Sequence, residues 1–413
     1  MKTAQRSLAD VLAPIGTEEF LQDILGKHHQ HVSGQAGKFT RFLTWGDLNQ
    51  ILASHQLDAP RLRLVREGKT LPPESFIAYH ESRHRSSSRM TRLRSAELTR
   101  QLQEGATLIL DAIDEIHEPI ADLAAHLERF LCARVQINLY AGWRTSPGFD
   151  VHWDGHDVFI LQVSGRKHWK VYGMTRQYPL PDDPKIEAPP KIPVWEGMLE
   201  DGDLLYIPRG WWHVAVPVDE PTLHLTVGLH RATGLDFAAW LMDRLRESAT
   251  VRQDLPRLGT AADREAHLQR LHAAWEEGWH PKLLEEYFAY LDTRAFFRPC
   301  FGLPWTARSA VIPQSETGWS VNWLVPRPIE RGQQNVVVRG NGRAWTFSAA
   351  AWPVLHALQE NGTCLIDDLY ERSIGELTTE QLRIFLKELV NEGLASIVVS
   401  GAPKQLSTAL PSG

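Results

Sequence analysis

Over residues 134–142, "RVQINLYAG", apolar and polar side chains alternate: Val135, Ile137 and Leu139 fall on one face, Gln136, Asn138 and Tyr140 on the other. A period of two is that of a strand with one apolar face. The run follows directly on Ile120, Leu123, Leu127, Phe130 and Leu131, which recur at helical spacing behind Pro119, so a helix feeding a strand is expected. The next stretch, "FDVHWDGHDVFILQVSGRKHWKVYG" from Phe149 to Gly173, holds two strand-like runs around Ser164-Gly165 and is expected to form one hairpin. Its Pro-rich sequel, "YPLPDDPKIEAPPKIPV", lacks too many amide donors to be an interior strand. "EDGDLLYIPRGWWHVAVPV" and "PTLHLTVGLHRA" again look extended. Many short strands with turns over about a hundred residues predict a sandwich or small barrel.

Helical patterns flank this region. "GTEEFLQDIL" and "TWGDLNQILAS" lie ahead of it, each with an acidic first turn; "GLDFAAWLMDRLRES", "DREAHLQRLHAAWEEGW" and "PKLLEEYFAYLDTRAFF" come after Arg231. Leucine and aromatic stripes on the later helices could pack on the barrel or form a dimer seam. The last hundred or so residues predict three more helices and a strand, with Thr378 and Gln381 placed for a capping box and Gly393 ending the last helix. Helix, helix, helix, strand is the order of a winged-helix module, and with only Arg383 and Lys387 as basic residues on its final helix a protein contact is favoured over DNA. The expected division is 1–231 for the barrel with its N-terminal helices, 232–299 for a helical region and 300–413 for the winged-helix-like part, an α+β architecture overall.

Composition narrows the function classes. A chain of 413 residues is long enough for two or three cores. A net charge of −6 gives no global attraction to nucleic acid or anionic lipid. The first residues have no continuous apolar core, and nothing approaches the roughly 18 apolar residues of a membrane span, so a cytoplasmic protein without a membrane partner is expected. "RHRSSSRMTRLR" carries Arg83, Arg85, Arg89, Arg92 and Arg94 without an acid; it reads as a solvated loop or a contact for RNA or an acidic partner. Cys132, Cys300 and Cys364 are too few and too scattered for a disulfide framework or a thiolate zinc site, which leaves His and carboxylate as metal ligands.

His152 and Asp154 stand two apart at the start of an extended run, so both can face one ion, or they can be the polar turn at a strand end. As ligands they would be two of the three in a two-His-one-carboxylate Fe(II) site. In "GDLLYIPRGWWH" the spacing of Gly202, Pro208, Gly210 and His213 resembles the second motif of the cupin superfamily and offers His213 as the third.

The segment from Asn138 to His230 resembles the Jumonji-C (JmjC) oxygenases more narrowly, and among them the ribosomal oxygenases, through "HWDGHDVFILQVSGRKHW". That resemblance implies a double-stranded β-helix of the cupin or jelly-roll type, followed by a helical dimerisation region and a winged-helix domain. It implies Fe(II) held by His152, Asp154 and His213, with 2-oxoglutarate held by Lys167 and Asn138, and O2 as oxidant. The implied activity is hydroxylation of an amino-acid side chain in a protein or peptide, a ribosomal protein being favoured, by a homodimer that contacts the ribosome or RNA. Alternatives are the same chemistry on a natural-product precursor peptide, a tRNA base or methyl-lysine, or a non-catalytic cupin-like binding protein. The chain departs from the pattern at Val227 and Gly228, where relatives often carry a Ser, and at Pro217, where cupins often carry an Asn. His156, His168, His224 and His230 are expected as surface or hydrogen-bonded core residues, Trp169, Trp211 and Trp212 as packing, and Tyr140 and Arg144 as flanks of the site's mouth.

Overall fold

The computed structural model describes residues 8–81, 89–143, 149–184, 187–303 and 318–399, so Arg83, Arg85 and Arg144 lie outside the described residues. The chain divides into two compact units, Met1–Arg231 and Ala232–Gly413.

The first unit contains thirteen strands among the described residues: β1 Gln30–Val32, β2 Leu62–Arg66, β3 Lys69–Thr70, β4 Ile77–Glu81, β5 Arg89–Leu93, β6 Thr107–Leu110, β7 Arg134–Gly142, β8 Asp157–Ser164, β9 Lys167–Met174, β10 Trp195–Leu199, β11 Leu204–Ile207, β12 Trp211–Pro217 and β13 Thr222–His230. Eight of them form a large antiparallel sheet in the order β1-β11-β8-β13-β7-β6-β2-β3. A smaller sheet, β10-β9-β12, faces it and is extended by a bridge between His152 and His213. From β8 to β13 the chain crosses repeatedly between the two sheets, with β9, β10 and β12 in the small one and β8, β11 and β13 in the large one, the wiring of a double-stranded β-helix. β4 and β5 pair only with each other, and this ribbon takes up Arg89 and Arg92 from the arginine-rich stretch.

Strand alternation divides the apolar side chains of the large sheet's central strands between two cores. Outward-facing Val135, Ile137 and Leu139 on β7 and Leu223, Leu225 and Val227 on β13 pack with Phe20, Leu48, Ile51, Leu123 and Leu127 from the N-terminal helices. The inward residues Val158, Ile160, Leu205 and Ile207 meet Trp169 and Val171 of the small sheet. Helix Trp45–Ser54 starts at a capping box between Thr44 and Asp47. Helix Glu118–Leu131 has Pro119 in its first turn and ends at Cys132 in a left-handed conformation, φ 49°, which turns the chain into β7.

One expectation fails. β8 and β9 do not form a hairpin: β8 pairs with β11 and β13, while β9 pairs with β10 and β12. Gly165-Arg166, after the last residue of β8, Ser164, is instead the corner at which the chain crosses from one sheet to the other. Gly165 has φ +68°, and a Cβ there would lie 2.1 Å from the Pro221 carbonyl oxygen, so only glycine fits. Arg166 is exposed on this corner and pairs through two nitrogens with Glu220.

The second unit begins with helices Gly234–Leu245, Ala261–Gly278 and Leu283–Arg294. It continues with a separate core in which Trp323, Leu355, Leu358, Leu369, Leu386 and Ile397 are buried. There the strands Trp319–Trp323, Thr363–Leu365 and Ala395–Val399 form a sheet with the first in the centre, beside helices Trp352–Asn361, Ile366–Ser373 and Thr379–Asn391. The last of these opens on the capping box of Thr378 and Gln381. Among the described residues, no helix is long and apolar enough to cross a membrane.

Candidate active site

His152 and His213 face each other across the bridge, each backbone N–H donating to the other's carbonyl at 3.1 and 2.7 Å. Two-way hydrogen bonding fixes the pair, and their rings lie 4.5 Å apart. The turn before β12 completes the arrangement: Gly210 N–H donates to the Asp154 carbonyl at 3.0 Å. Gly210 has φ +83° and no room for a Cβ, which would sit 2.5 Å from Pro179 Cδ. The Gly and Pro spacing read from the sequence is therefore the turn that brings His213 beside Asp154.

One donor atom from each of His152, Asp154 and His213 lies within 4.8 Å of the others. His213 Nε2 is 3.5 Å from Asp154 Oδ2. On both histidines Nδ1 is occupied by the carbonyl two residues earlier: His152 Nδ1 bonds the Asp150 oxygen at 2.8 Å, and His213 Nδ1 bonds the Trp211 oxygen at 3.0 Å. Such bonds hold Nδ1 as the N–H and leave Nε2 as a lone-pair donor, the form that a metal requires. Two imidazole nitrogens and one carboxylate oxygen suit a divalent iron with open positions for other ligands.

These residues border a cavity of about 440 Å³. On its buried side is Lys167, the first residue of β9, only 5% exposed. Among the described residues no acid pairs with it, and burial pushes its ammonium down from the usual lysine range to about 7. A cation held in an enclosed site without a counter-charge fits a ligand carboxylate. On the exposed side the cavity is lined by Phe149, Asp150 and Arg63; Arg63 forms a two-point ion pair with Asp111 at 2.6 and 2.9 Å.

Asn138 lies on the inward face of β7, as the alternation required, but it does not line the cavity. Its Oδ1 accepts the N–H of Ala112 at 2.9 Å, a residue in the left-handed region at φ 51°. Its neighbour on the same face, Tyr140, does line the cavity. Burial, with Asp154 and Asp111 nearby, pushes the Tyr140 phenol above its usual range.

His224 differs from expectation, and Trp169 packs between the sheets as expected but also borders the cavity. Both are buried and both line the cavity, because inward positions of β13 and β9 face the same space. Their strand parity was legible, but the pairing that places them opposite each other was not. The other neighbours have structural surroundings. His168 faces outward onto Glu196 at 3.2 Å. His156 and His230 stack at 4.4 Å, and burial with His156 and Arg134 nearby lowers His230 to about 4. Gly228, the departure from the family pattern, lies under this pair: a Cβ there would be 2.8 Å from His156 Nε2, so the histidine ring fills that place. Trp212 Nε1 donates to Thr175 Oγ1, and Trp211 packs against His29. Asp157 is buried and accepts from Arg231 Nη2 at 2.6 Å and from the Arg209 N–H at 2.8 Å.

Residues 111–237 match the JmjC domain family. The chain is 25% identical over 304 residues to the bifunctional lysine-specific demethylase and histidyl-hydroxylase NO66 of Drosophila persimilis, covering 69% of this chain and 40% of that protein. It is 30% identical over 352 residues to ribosomal oxygenase 1 of Gallus gallus, covering 80% of this chain and 55% of that one. It thus spans only about half, or less, of the length of these relatives. Among solved structures, Escherichia coli ribosomal oxygenase YcfD in complex with cobalt and 2-oxoglutarate superposes with a TM-score of 0.56 at 19% identity, over 93% of this chain and 98% of that one, a likeness of fold. Residues 111–237 are therefore a JmjC domain, in a chain homologous to the ribosomal oxygenases.

Proposed function

We propose that the protein is an Fe(II)- and 2-oxoglutarate-dependent dioxygenase that hydroxylates an amino-acid side chain of a protein, a ribosomal protein being the favoured substrate class. The observation that carries this is the combination in one cavity of the His152, Asp154 and His213 donor set with the buried ammonium of Lys167, unpaired among the described residues. A non-catalytic binding protein has no use for both.

His152, Asp154 and His213 would hold the iron, and Lys167 would pair with the distal carboxylate of 2-oxoglutarate. Asn138, which is bonded to Ala112 and Tyr140 and does not line the cavity itself, would act on the cosubstrate through Tyr140, which does. The bound iron with 2-oxoglutarate and O2 supplies the oxidation: one oxygen atom enters a substrate C–H bond, the other enters succinate, and carbon dioxide leaves. The protein's own contribution is positional. Nδ1 bonds to Asp150 and Trp211 keep both imidazoles in the ligating tautomer. The apolar wall of Ile160 and Trp169 keeps bulk water from the buried end, and Phe149, Asp150 and Arg63 border the side from which a substrate side chain would enter.

The reading extends to the second unit. Residues 232–299 would be a dimerisation region, supported by exposed Leu235, Met242, Leu268, Trp279, Leu284 and Phe288 on its helices and flanks. Residues 300–413 would be a winged-helix domain, supported by three helices and a closing strand at the end of the described chain, although a short strand, Thr363–Leu365, stands between the first helix and the second where the sequence order had none. Arg383 on its last helix is already paired with Glu380, which favours contact with protein over nucleic acid. A ribosomal substrate would be in keeping with a homodimer in the cytoplasm.

The test is incubation of purified protein with Fe(II), 2-oxoglutarate, ascorbate and ribosomal proteins, followed by mass spectrometry. A gain of one oxygen atom on a single side chain, with matching succinate and dependence on His152, is the expected result. No succinate with any protein substrate, or equal turnover by His152→Ala, overturns the reading.

A further inference from the structure

Beside Lys167 the cavity wall holds two more nitrogen groups that no described residue satisfies. His224 Nδ1 and Trp169 Nε1 are both enclosed with no hydrogen-bond partner among the described residues, and both residues line the cavity. Buried polar groups are paired in the great majority of cases, so a set of orphans around one space asks what fills it. Trp169 and Lys167 are donors only, and the space therefore calls for an acceptor of several hydrogen bonds.

The His224 ring is held firmly. It lies flat on Tyr140, 4.9 Å away at 2°, and edge-on to Trp169 at 5.8 Å and 78°. Burial and the nearby Lys167 keep its pKa well below the usual histidine value, so the ring is neutral and carries one N–H. In a neutral imidazole the tautomer follows the acceptor offered. Lys167 on β9 and the inward-facing His224 on β13 line the cavity from opposite sheets, close enough for the lysine's charge to act on the imidazole.

We propose that His224 is a second binding residue for the distal carboxylate of 2-oxoglutarate, donating its N–H to one carboxylate oxygen while Lys167 pairs with the charge. This rests on the reading of the cavity as a 2-oxoglutarate site. It gives the carboxylate two fixed directions of recognition, one ionic and one geometric, where a lysine alone supplies only a mobile point charge.

The test is calorimetric titration of the full-length protein loaded with Mn(II), without oxygen, using 2-oxoglutarate and, separately, 2-oxobutanoate. The second ligand has the same metal-binding end and no distal carboxylate. His224→Phe keeps the ring stack on Tyr140 and removes the N–H; His224→Asn restores an N–H donor. Expected are a loss of about tenfold or more in 2-oxoglutarate affinity for the Phe variant, partial recovery for Asn, and a 2-oxobutanoate affinity unchanged in both. Equal losses for the two ligands, or no loss for 2-oxoglutarate, overturn the assignment. Should the variants not fold, nitrogen-labelled histidine in the Zn(II)-loaded unsubstituted protein gives the answer. His224 imidazole resonances that move with 2-oxoglutarate and not with 2-oxobutanoate support the assignment, and resonances indifferent to both refute it. If the unsubstituted protein binds no 2-oxoglutarate at all, the functional reading itself falls, and this assignment with it.

Discussion

β8 and β9 are consecutive, of equal length and joined by a two-residue corner, yet they do different work. From Asp157 to Val163, β8 is buried at every position: Phe159, Leu161 and Val163 enter the core under the N-terminal helices, while Val158 and Ile160 enter the core between the sheets. β9 alternates, with Lys167, Trp169 and Val171 buried and His168, Lys170 and Tyr172 half-buried. β8 has protein on both sides, so its side chains are mostly apolar and its substitution acts on stability. β9 has one wet face and turns Lys167 and Trp169 on its other face into the cavity.

That contrast predicts which changes affect turnover and which affect folding. The largest effect is expected at the small sheet's edge, where His213→Ala should reduce succinate formation by roughly a thousandfold or more, with the thermal midpoint little changed. A large fall in midpoint would mean that the edge holds the fold together, and the contrast would be lost. On β8, Phe159 packs on Phe20 and Tyr206 at 5.5 and 5.0 Å. Phe159→Ala should cost about 3–5 kcal/mol in denaturant unfolding, with 2-oxoglutarate affinity retained in whatever remains folded.

Lys167→Met should weaken 2-oxoglutarate binding by about a hundredfold and raise the stability of the unliganded protein, since a methionine of similar shape removes a buried cation. The same lysine sets a pH dependence. Its ammonium loses its proton near 7 when unpaired, and a bound carboxylate raises that value, so binding favours the protonated form. Affinity should be flat below about pH 7 and fall by up to about tenfold per unit above it, with proton uptake on binding at pH 8 measurable by titration in buffers of different ionisation enthalpy. A flat profile from pH 6 to 9 would mean that the cosubstrate does not meet Lys167. The smallest effect is expected on the wet face of the same strand: Lys170 pairs with Glu196 at 3.0 Å in solvent, and Lys170→Ala should change unfolding free energy by less than about 0.5 kcal/mol.

Much of the site was legible because its parts are local. His152 and Asp154 need only an extended chain to face one way, and the turn through Pro208 and Gly210 delivers His213 by its own geometry. Helix Thr379–Asn391, with its capping box, was equally legible, since a cap and an apolar stripe lie within a few turns of one another. His224 was not. Its alternation with Leu223 and Leu225 shows only that it faces away from them, and a buried histidine in a strand is as consistent with a core hydrogen bond as with a ligand wall.

The sequence by itself determined which side of each strand is apolar, where the turns fall and which residues could bind a metal, because these depend on spacing along one segment. Only the tertiary structure decided which strands are neighbours. Ser164-Gly165 serves a hairpin or a corner equally well until the Pro221 carbonyl is placed against it, and that carbonyl comes from more than fifty positions later in the chain. Pairing is a contact between distant segments, settled by two cores closing together, and it turned two adjacent strands into opposite walls of one cavity.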